Sequence, residues 1–462
     1  MVYKIKIYLV FLLCSSFSLY SQDSTQQDIN RMNLKVRKVI VTGNKHTKAE
    51  IILREMKLKE GSQFTLEKYK EDYISINRLG LFNKAEIIPL IKSDSEVVLN
   101  VDVNERWYIL PLPTAGMEDG EWKKIWIGLN LRWDNFRGRN ETITADIRAF
   151  YNRSVRLGYY IPWIGRNLKL FTSFGFLWGK YRNKSMELAG ADNNIISYEK
   201  QSFDNTVYKA EFQLGRRFTK VLSAYSDFGY NYLSVSEYRP GRTVSAEGRD
   251  KWISAGIGVK LDSRNYNDFT TEGIYVNLLY KHQGFITDGI NFGRINSEMR
   301  SFIPLYINKD YFLTLGSRFN ISFVPGFQIP AYQREYLGYG DNYIRGWKKF
   351  AYEGDNVLTF YNELRIPLIL PSYLKGKDLP VIKDIPVAND FVYRYGLYAT
   401  LIYDTGTIWF RNESLSGKRF YSGAGMGLNF LLPFNYILRL DWVFRLAKPV
   451  VGQINFSIGA KF

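Results

Sequence analysis

From Trp107 to Phe462 the chain is a succession of segments, each roughly ten residues long, in which apolar and polar side chains alternate. Clusters of Gly, Asn, Asp and Pro separate them. A period of two belongs to a strand with two unlike faces. Sixteen segments can be marked, opening with 107–114 and 122–133, passing through 356–367 and 390–404, and closing with 420–431, 436–445 and 453–462. An even number is what a closed antiparallel barrel requires. The faces are clearest near the end, where Leu438, Leu440, Trp442 and Phe444 stand against Arg439, Asp441 and Arg445. In the last segment Ile454, Phe456, Ile458, Ala460 and Phe462 stand against Gln453, Asn455, Ser457, Gly459 and Lys461. A soluble barrel packs its apolar face inward. Here the apolar face is too consistently large and the other face, as an inner one, too charged for a packed core, so the sequence predicts a transmembrane β-barrel with its apolar face toward lipid. Aromatics, 16% of all residues, supply the strands and the interface belts.

The start of the chain supports export. Residues 1–21 hold Lys4 and Lys6, an apolar core and a polar end, the pattern of a secretory signal peptide. Its apolar run is too short to span a bilayer as a helix, and no later run is long enough. Cys14 is the only cysteine, so a mature chain without the leader has neither disulfides nor thiolate metal sites. The formal charge of +17 is scattered and forms no basic helix or finger, which argues against nucleic acid as a partner and for lipid head groups.

Residues 22–33 are a polar, flexible lead-in, and residues 34–106 form a compact unit. Its order is β-α-α-β-β: a strand at 36–42, a helix opened by a Thr47–Glu50 capping box, a helix after Thr65, and strands at 81–91 and 97–105. The second helix is expected to bury Leu66, Tyr69, Tyr73 and Ile76.

One stretch breaks the strand texture. Leu337–Trp347 carries Gly338, Gly340, Gly346 and the Asp341-Asn342 pair, all turn formers, around Ile344-Arg345-Gly346-Trp347. Such a loop can fold into a polar lumen and be fastened there by its arginine. Period-two counting puts Glu363 and Asp404 on the lumen faces of the two strands that follow, where they could receive one guanidinium.

The order of elements in 34–106, with VTGN at 41–44 and RLGLFNKAEI at 78–87, resembles a POTRA (polypeptide-transport-associated) domain. IRGW, NELRIPL (362–368), YDTGTIW (403–409) and SGAGMGLNF (422–430), together with DNFRG (134–138) and DSRNYNDFTTEG (262–273), are similar to the barrel of the outer-membrane assembly and two-partner-secretion superfamily, the BamA/TamA-like proteins. The resemblance implies an outer-membrane barrel at 107–462 with its POTRA domain in the periplasm. It implies insertion or translocation of polypeptides. Partners would be unfolded outer-membrane or secreted polypeptides, outer-membrane lipids and accessory periplasmic or lipoprotein subunits. It also implies that Arg345, with Gly346 and Trp347, anchors the loop on Glu363 and Asp404. Two departures stand out: Trp347 occupies a place more often held by Phe or Tyr, and there is one POTRA unit rather than several.

Chemistry has little foothold. The two histidines, His46 and His282, lie in separate turns and strand ends, and neither a metal cluster nor a phosphate-binding glycine loop is present, so no cofactor is expected. A passive channel and a barrel enzyme are the alternative readings. The ends of the barrel form the expected lateral seam: Pro111 and Pro113 delete two ladder donors from the first strand, Gly459 weakens the last, and Phe462 closes it with an aromatic terminus.

Overall fold

The computed structural model describes residues 34–117, 122–165, 168–185, 188, 203–265, 269–285, 289–309, 311–338, 342–347, 352–375, 392–432 and 436–458. The leader, the lead-in, Gly340, Asp341, Gly459 and Phe462 lie outside the described residues.

The N-terminal unit comprises β1 (Lys35–Thr42), α1 (Ala49–Leu53), α2 (Leu66–Arg78), β2 (Phe82–Ser93) and β3 (Glu96–Glu105). Its sheet runs β1-β3-β2, with β1 parallel and β2 antiparallel to β3. The alternation of β3 does its expected work: Val97, Leu99, Val101 and Val103 are buried with Val36, Ile52, Leu58 and Ile76.

Two local expectations fail here. Thr47 caps no helix; α1 starts after Lys48 without a side-chain cap. The Thr47 hydroxyl and backbone N–H both donate to the Glu105 carboxylate, at 2.5 and 2.6 Å, because a carboxylate within reach outbids a neutral backbone partner. In α2 it is Asp72, not Tyr73, that is buried, and Tyr73 faces outward. The Asp72 carboxylate accepts from the N–H groups of Lys57 and Leu58 at 2.6 and 2.9 Å, satisfying the chain as it leaves α1, and this rotates the helix away from the purely apolar stripe.

The large sheet has sixteen antiparallel strands in chain order. They are β4 (Ile109–Met117), β5 (Ile125–Phe136), β6 (Glu141–Phe150), β7 (Ser154–Ile164), β8 (Leu170–Arg182), β9 (Asp204–Arg217), β10 (Leu222–Val235), β11 (Arg249–Asp262), β12 (Gly273–Gln283), β13 (Phe292–Tyr306), β14 (Phe312–Phe323), β17 (Asn356–Lys375), β18 (Val392–Trp409), β19 (Tyr421–Leu432), β20 (Tyr436–Arg445) and β21 (Gly452–Ile458). A small hairpin, β15 (Glu335–Leu337) with β16 (Tyr352–Gly354), sits inside the long loop before β17. β17 and β18 run well past the expected 367 and 404, pairing through register shifts at Pro367/Ile369 and Ile369/Ser372. Pro367 lacks the N–H that a regular ladder would use, and the strand accommodates it by bulging instead of ending.

The faces divide sharply. Ile257, Phe176, Leu401, Met426, Trp442 and Phe456 are exposed on the outside, whereas Arg365, Thr400, Asp404, Asn429, Arg439 and Asp441 are buried within. Large apolar groups outside and buried charges inside make this a barrel built for lipid.

The N-terminal unit is fastened to one rim of the barrel by polar bonds. In the β5–β6 turn, Asn135, Arg137 and Gly138 have positive φ. That shape lets Asn135 donate to the Thr47 hydroxyl at 2.8 Å and accept from the His46 ring at 2.9 Å, while the Gly138 carbonyl accepts from Lys48 N at 3.0 Å. Nearby, Arg106 donates to Asp134 at 2.6 Å. In the β11–β12 turn the carbonyls of Arg264 and Ser263 accept from Arg78 at 2.9 and 3.2 Å. Lys220, in the β9–β10 turn, donates to the Glu55 carbonyl and the Ser75 hydroxyl at 2.6 and 2.9 Å. Burial pushes its pKa down, and the nearby Asp72 and Glu55 carboxylates pull it back up. A Cβ at Gly138 would lie 2.2 Å from the His46 carbonyl oxygen. Gly138→Ala should therefore prise the two parts apart: the linker near Arg106 becomes open to protease, while the barrel keeps its heat-modifiable migration on a gel. Unchanged protease resistance would refute the contact.

Candidate functional site

The site begins with the loop between β14 and β17. Its hairpin β15–β16 and its inward tip are held from below by Arg294, which donates to Glu335 at 2.8 Å and to the Gln333 carbonyl at 2.7 Å. The Tyr332 hydroxyl donates to Asp250 at 2.7 Å. The tip buries Ile344 and Trp347 against Phe302, Leu337, Val357 and Tyr361. Trp347 donates its indole N–H to the Ser422 carbonyl at 2.8 Å and meets Tyr421 edge-on. The guanidinium of Arg445 lies over the Trp347 ring. An indole N–H is a handle that a phenyl ring lacks, so the tryptophan here is used for bonding as well as for bulk.

Gly346 takes φ +93°, which sends the chain back out of the lumen. A Cβ there would press on the backbone of Phe444 and Arg445 at 3.0 Å. Across from it, a Cβ on Gly423 of β19 would sit 1.9 Å from the Arg345 carbonyl oxygen. Gly423 of SGAGMGLNF thus makes room for the loop backbone, while Gly425 and Gly427 let β20 approach.

Arg345 is buried between three strands. Its Nε and Nη2 donate to the two oxygens of Asp404, each at 2.6 Å, and its own backbone N–H donates to Asp404 at 3.2 Å. Its Nη1 donates to Glu363 Oε1 at 2.8 Å and lies 3.5 Å from Asp441. The fork-to-carboxylate geometry on β18 is bidentate, the arrangement that fixes orientation as well as distance.

Sequence counting placed Glu363 and Asp404 beside Arg345 but missed three further members. Arg365 donates from Nε and Nη2 to Glu363 Oε2 at 3.1 and 3.0 Å. Arg439 donates to Glu363 Oε1 at 2.8 Å and to Asp441 at 3.0 Å. Three guanidiniums and three carboxylates therefore neutralise one another, all buried. The signal was in the sequence: Arg365 follows Glu363 by two residues, and Arg439 precedes Asp441 by two, so each pair shares a lumen face.

A second segment reaches this cluster from the opposite end. From the β11–β12 turn, the Thr270 carbonyl accepts from Arg365 Nη1 at 3.0 Å, and buried Phe269 packs on Tyr398 with its ring under the Arg365 guanidinium. DSRNYNDFTTEG is the turn that enters the lumen, a role its composition did not reveal.

Of the seam residues, Pro111 and Pro113 lie on β4, one end of the sheet, and pair with Leu131 and Leu129 of β5. That ladder passes both prolines without a register shift, as expected when their missing donors fall on the other edge. The described residues contain no group of three or more His, Cys, Asp or Glu that could hold a metal ion. The His46 ring serves the rim, and His282 lies among Phe285 and Phe327.

Residues 135–462 match the Omp85 superfamily domain, and residues 34–106 match POTRA, the surface antigen variable number repeat. A Treponema pallidum (strain Nichols) protein described as "Putative outer membrane protein assembly factor" is 28% identical over 144 residues, 29% of this chain; the match spans 17% of that longer relative. Among solved structures, BamA from Haemophilus ducreyi lacking POTRA domains 1-3 is 17% identical with TM-score 0.52, covering 91% of this chain and 85% of its own. CdiB from Escherichia coli is 12% identical with TM-score 0.60, covering 92% and 76%. CdiB from Acinetobacter baumannii is 15% identical with TM-score 0.56, covering 94% and 76%. At these identities the likeness is one of fold.

Arg345→Ala would leave Glu363, Asp404 and Asp441 short of one positive charge, at a cost of about 3–5 kcal/mol. The expected result is a barrel that still inserts but whose loop at 325–338 becomes protease-sensitive. Arg345→Lys should not restore protection, since an ammonium cannot serve both carboxylates in the plane of a fork. Gly423→Ala, which collides with the loop backbone, should expose the same segment. A protected loop in all three variants would refute the anchor.

Proposed function

Since the chain belongs to the Omp85 superfamily, we propose that it inserts polypeptides into the outer membrane or moves them across it. Its barrel sits in the outer membrane with the POTRA domain in the periplasm. The observation that carries the proposal is the inward loop locked by Arg345 onto Glu363 and Asp404, above a POTRA domain bonded to the periplasmic rim. A passive channel keeps its lumen open. Here the inward loop, six buried charges and the Phe269–Tyr398 contact lie inside it, so a transport role calls for movement of parts. The work proposed is conformational.

Clients are proposed to be unfolded polypeptides. The POTRA sheet ends in β2, whose outer edge pairs with no strand among the described residues and carries exposed Ile88, Leu90 and Ile91. An extended segment can add there by backbone bonds, with Pro89 withholding one donor and so limiting adventitious pairing. Delivery to lipid is proposed to use the seam between β4 and β21, where Pro111, Pro113, Gly459 and Phe462 weaken or mark the edges.

Depleting the protein and comparing outer-membrane proteomes tests the role: a set of barrel or surface polypeptides should fall, and an unchanged proteome would overturn it. The seam has its own test. Engineered cysteine pairs between Leu110–Thr114 and Ile454–Ser457 should crosslink only where Cβ atoms approach within about 3.5–4.5 Å. The oxidised protein should lose activity and regain it on reduction. A fully crosslinked, active barrel would rule out lateral opening.

A further inference from the structure

A chamber of about 650 Å³ lies where the POTRA domain meets the barrel, within the usual size range of ligand sites. The POTRA side contributes Glu55, Ser75 and residues 78–81, and the wall comes from the lumen faces of the barrel. Seven cationic side chains line it against three carboxylates, leaving four positive charges in excess. The carboxylates are already engaged. Asp134 takes Arg106 and Arg132, Asp262 takes Arg264, and Glu55 pairs with Arg54 outside the chamber.

Lys260 and Arg217 make no ion pair with a carboxylate among the described residues. Lys260 lies over the Tyr275 ring, with the nearby Asp262 already paired to Arg264, and Arg217 reaches the Tyr160 hydroxyl at 3.3 Å and the Trp163 ring. Register places them in one row. Arg217 of β9 pairs with Ser223 of β10, Ser223 with Lys260 of β11, and Lys260 with Asn277 of β12. All four line the chamber. Two strand spacings put the backbones of Arg217 and Lys260 about 10 Å apart.

We infer that this row binds an acidic stretch of a client polypeptide, with carboxylates set three residues apart along a chain in the polyproline II conformation. Three residues complete one turn of that helix and rise about 9 Å, so side chains three apart share one face at the spacing of the row. A single phosphate is too small to bridge it. The hydroxyl of Ser223, between the two cations, and the amide of Asn277, beyond Lys260, offer bonds to the peptide backbone. The inference rests on the proposed role in handling polypeptides and names what those polypeptides carry.

The test uses the full chain in detergent and a fluorescent peptide of repeating Glu-Ser-Ser, with its Gln-Ser-Ser counterpart as control, read by anisotropy. The acidic peptide should bind, more weakly as salt rises, and the control should not. Lys260→Gln and Arg217→Gln should each weaken binding about tenfold, the loss of one charge-assisted bond. Lys260→Arg should retain it. Heat-modifiable gel migration confirms that each variant is folded. Equal binding of both peptides, or affinity unmoved in folded variants, would overturn the inference. So would displacement by inorganic pyrophosphate as effective as by unlabelled peptide, which would mark a small-anion site. Peptide binding with an unchanged proteome on depletion would sink the proposed role alone, and a changed proteome without peptide binding would sink the chamber alone.

Discussion

Everything in the lumen depends on one carboxylate being answered from three sides. Glu363 accepts from Arg345, Arg365 and Arg439, and the surplus positive charge is taken up by Asp404 and Asp441. Buried charges cost several kcal/mol each to dehydrate, and their mutual attraction does little more than return that cost. The cluster is therefore weak as a source of stability and strong as a selector of one arrangement. A one-residue slip in β17 would turn Glu363 and Arg365 toward lipid together, where nothing could pair them. The network thus fixes the register of the long strands and the seat of the loop at once.

From that hub, direct contacts run the length of the lumen. Arg345 belongs to the outer loop, and Arg365 joins Glu363 to the Thr270 carbonyl of the β11–β12 turn. The start of that same turn receives Arg78 from the POTRA helix α2 through the carbonyls of Ser263 and Arg264. These bonds are to backbone carbonyls, so they depend on the path of the turn and little on its side chains. Contiguity of this kind is the geometric precondition for coupling between the periplasmic unit and the loop; coupling itself requires two states that both ends bias.

The barrel was legible because lipid imposes one rule on every strand. Apolar residues must face outward at period two, and that held from β4 to β21, giving all sixteen segments. Lengths were less legible. The segment expected to end at Pro367 runs on to Lys375, because pairing with β18 carries the strand through a bulge. The POTRA order was readable, yet two details were decided by contacts distant in sequence. Thr47 was drawn from its helix by Glu105, and the face of α2 was set by Asp72 reaching the chain after α1. At the site, counting along strands placed Glu363 and Asp404 correctly on the lumen side. It did not find Arg439 and Asp441 as members, because they come from β20, three strands along the sheet from β17, and only the curvature of the wall brings them to Glu363 and Arg345. The role of DNFRG as the grip on the POTRA domain was hidden for the same reason: its partners, His46 and Thr47, lie some ninety residues earlier.

The anchor also bears on how a seam could open without unseating the loop. At the tip, the Tyr343 hydroxyl donates to Asn455 of β21 at 3.1 Å, a neutral bond. Two residues later, Arg345 is held by four donor contacts to carboxylates on β17 and β18. Neutral bonds are worth roughly half as much as charge-assisted ones. If β21 swings away from β4, Tyr343 therefore yields first, and the charge cluster stays with β17, β18 and β20. On the proposed opening, the wall that carries Glu363 stays fixed and the edge that carries Asn455 moves.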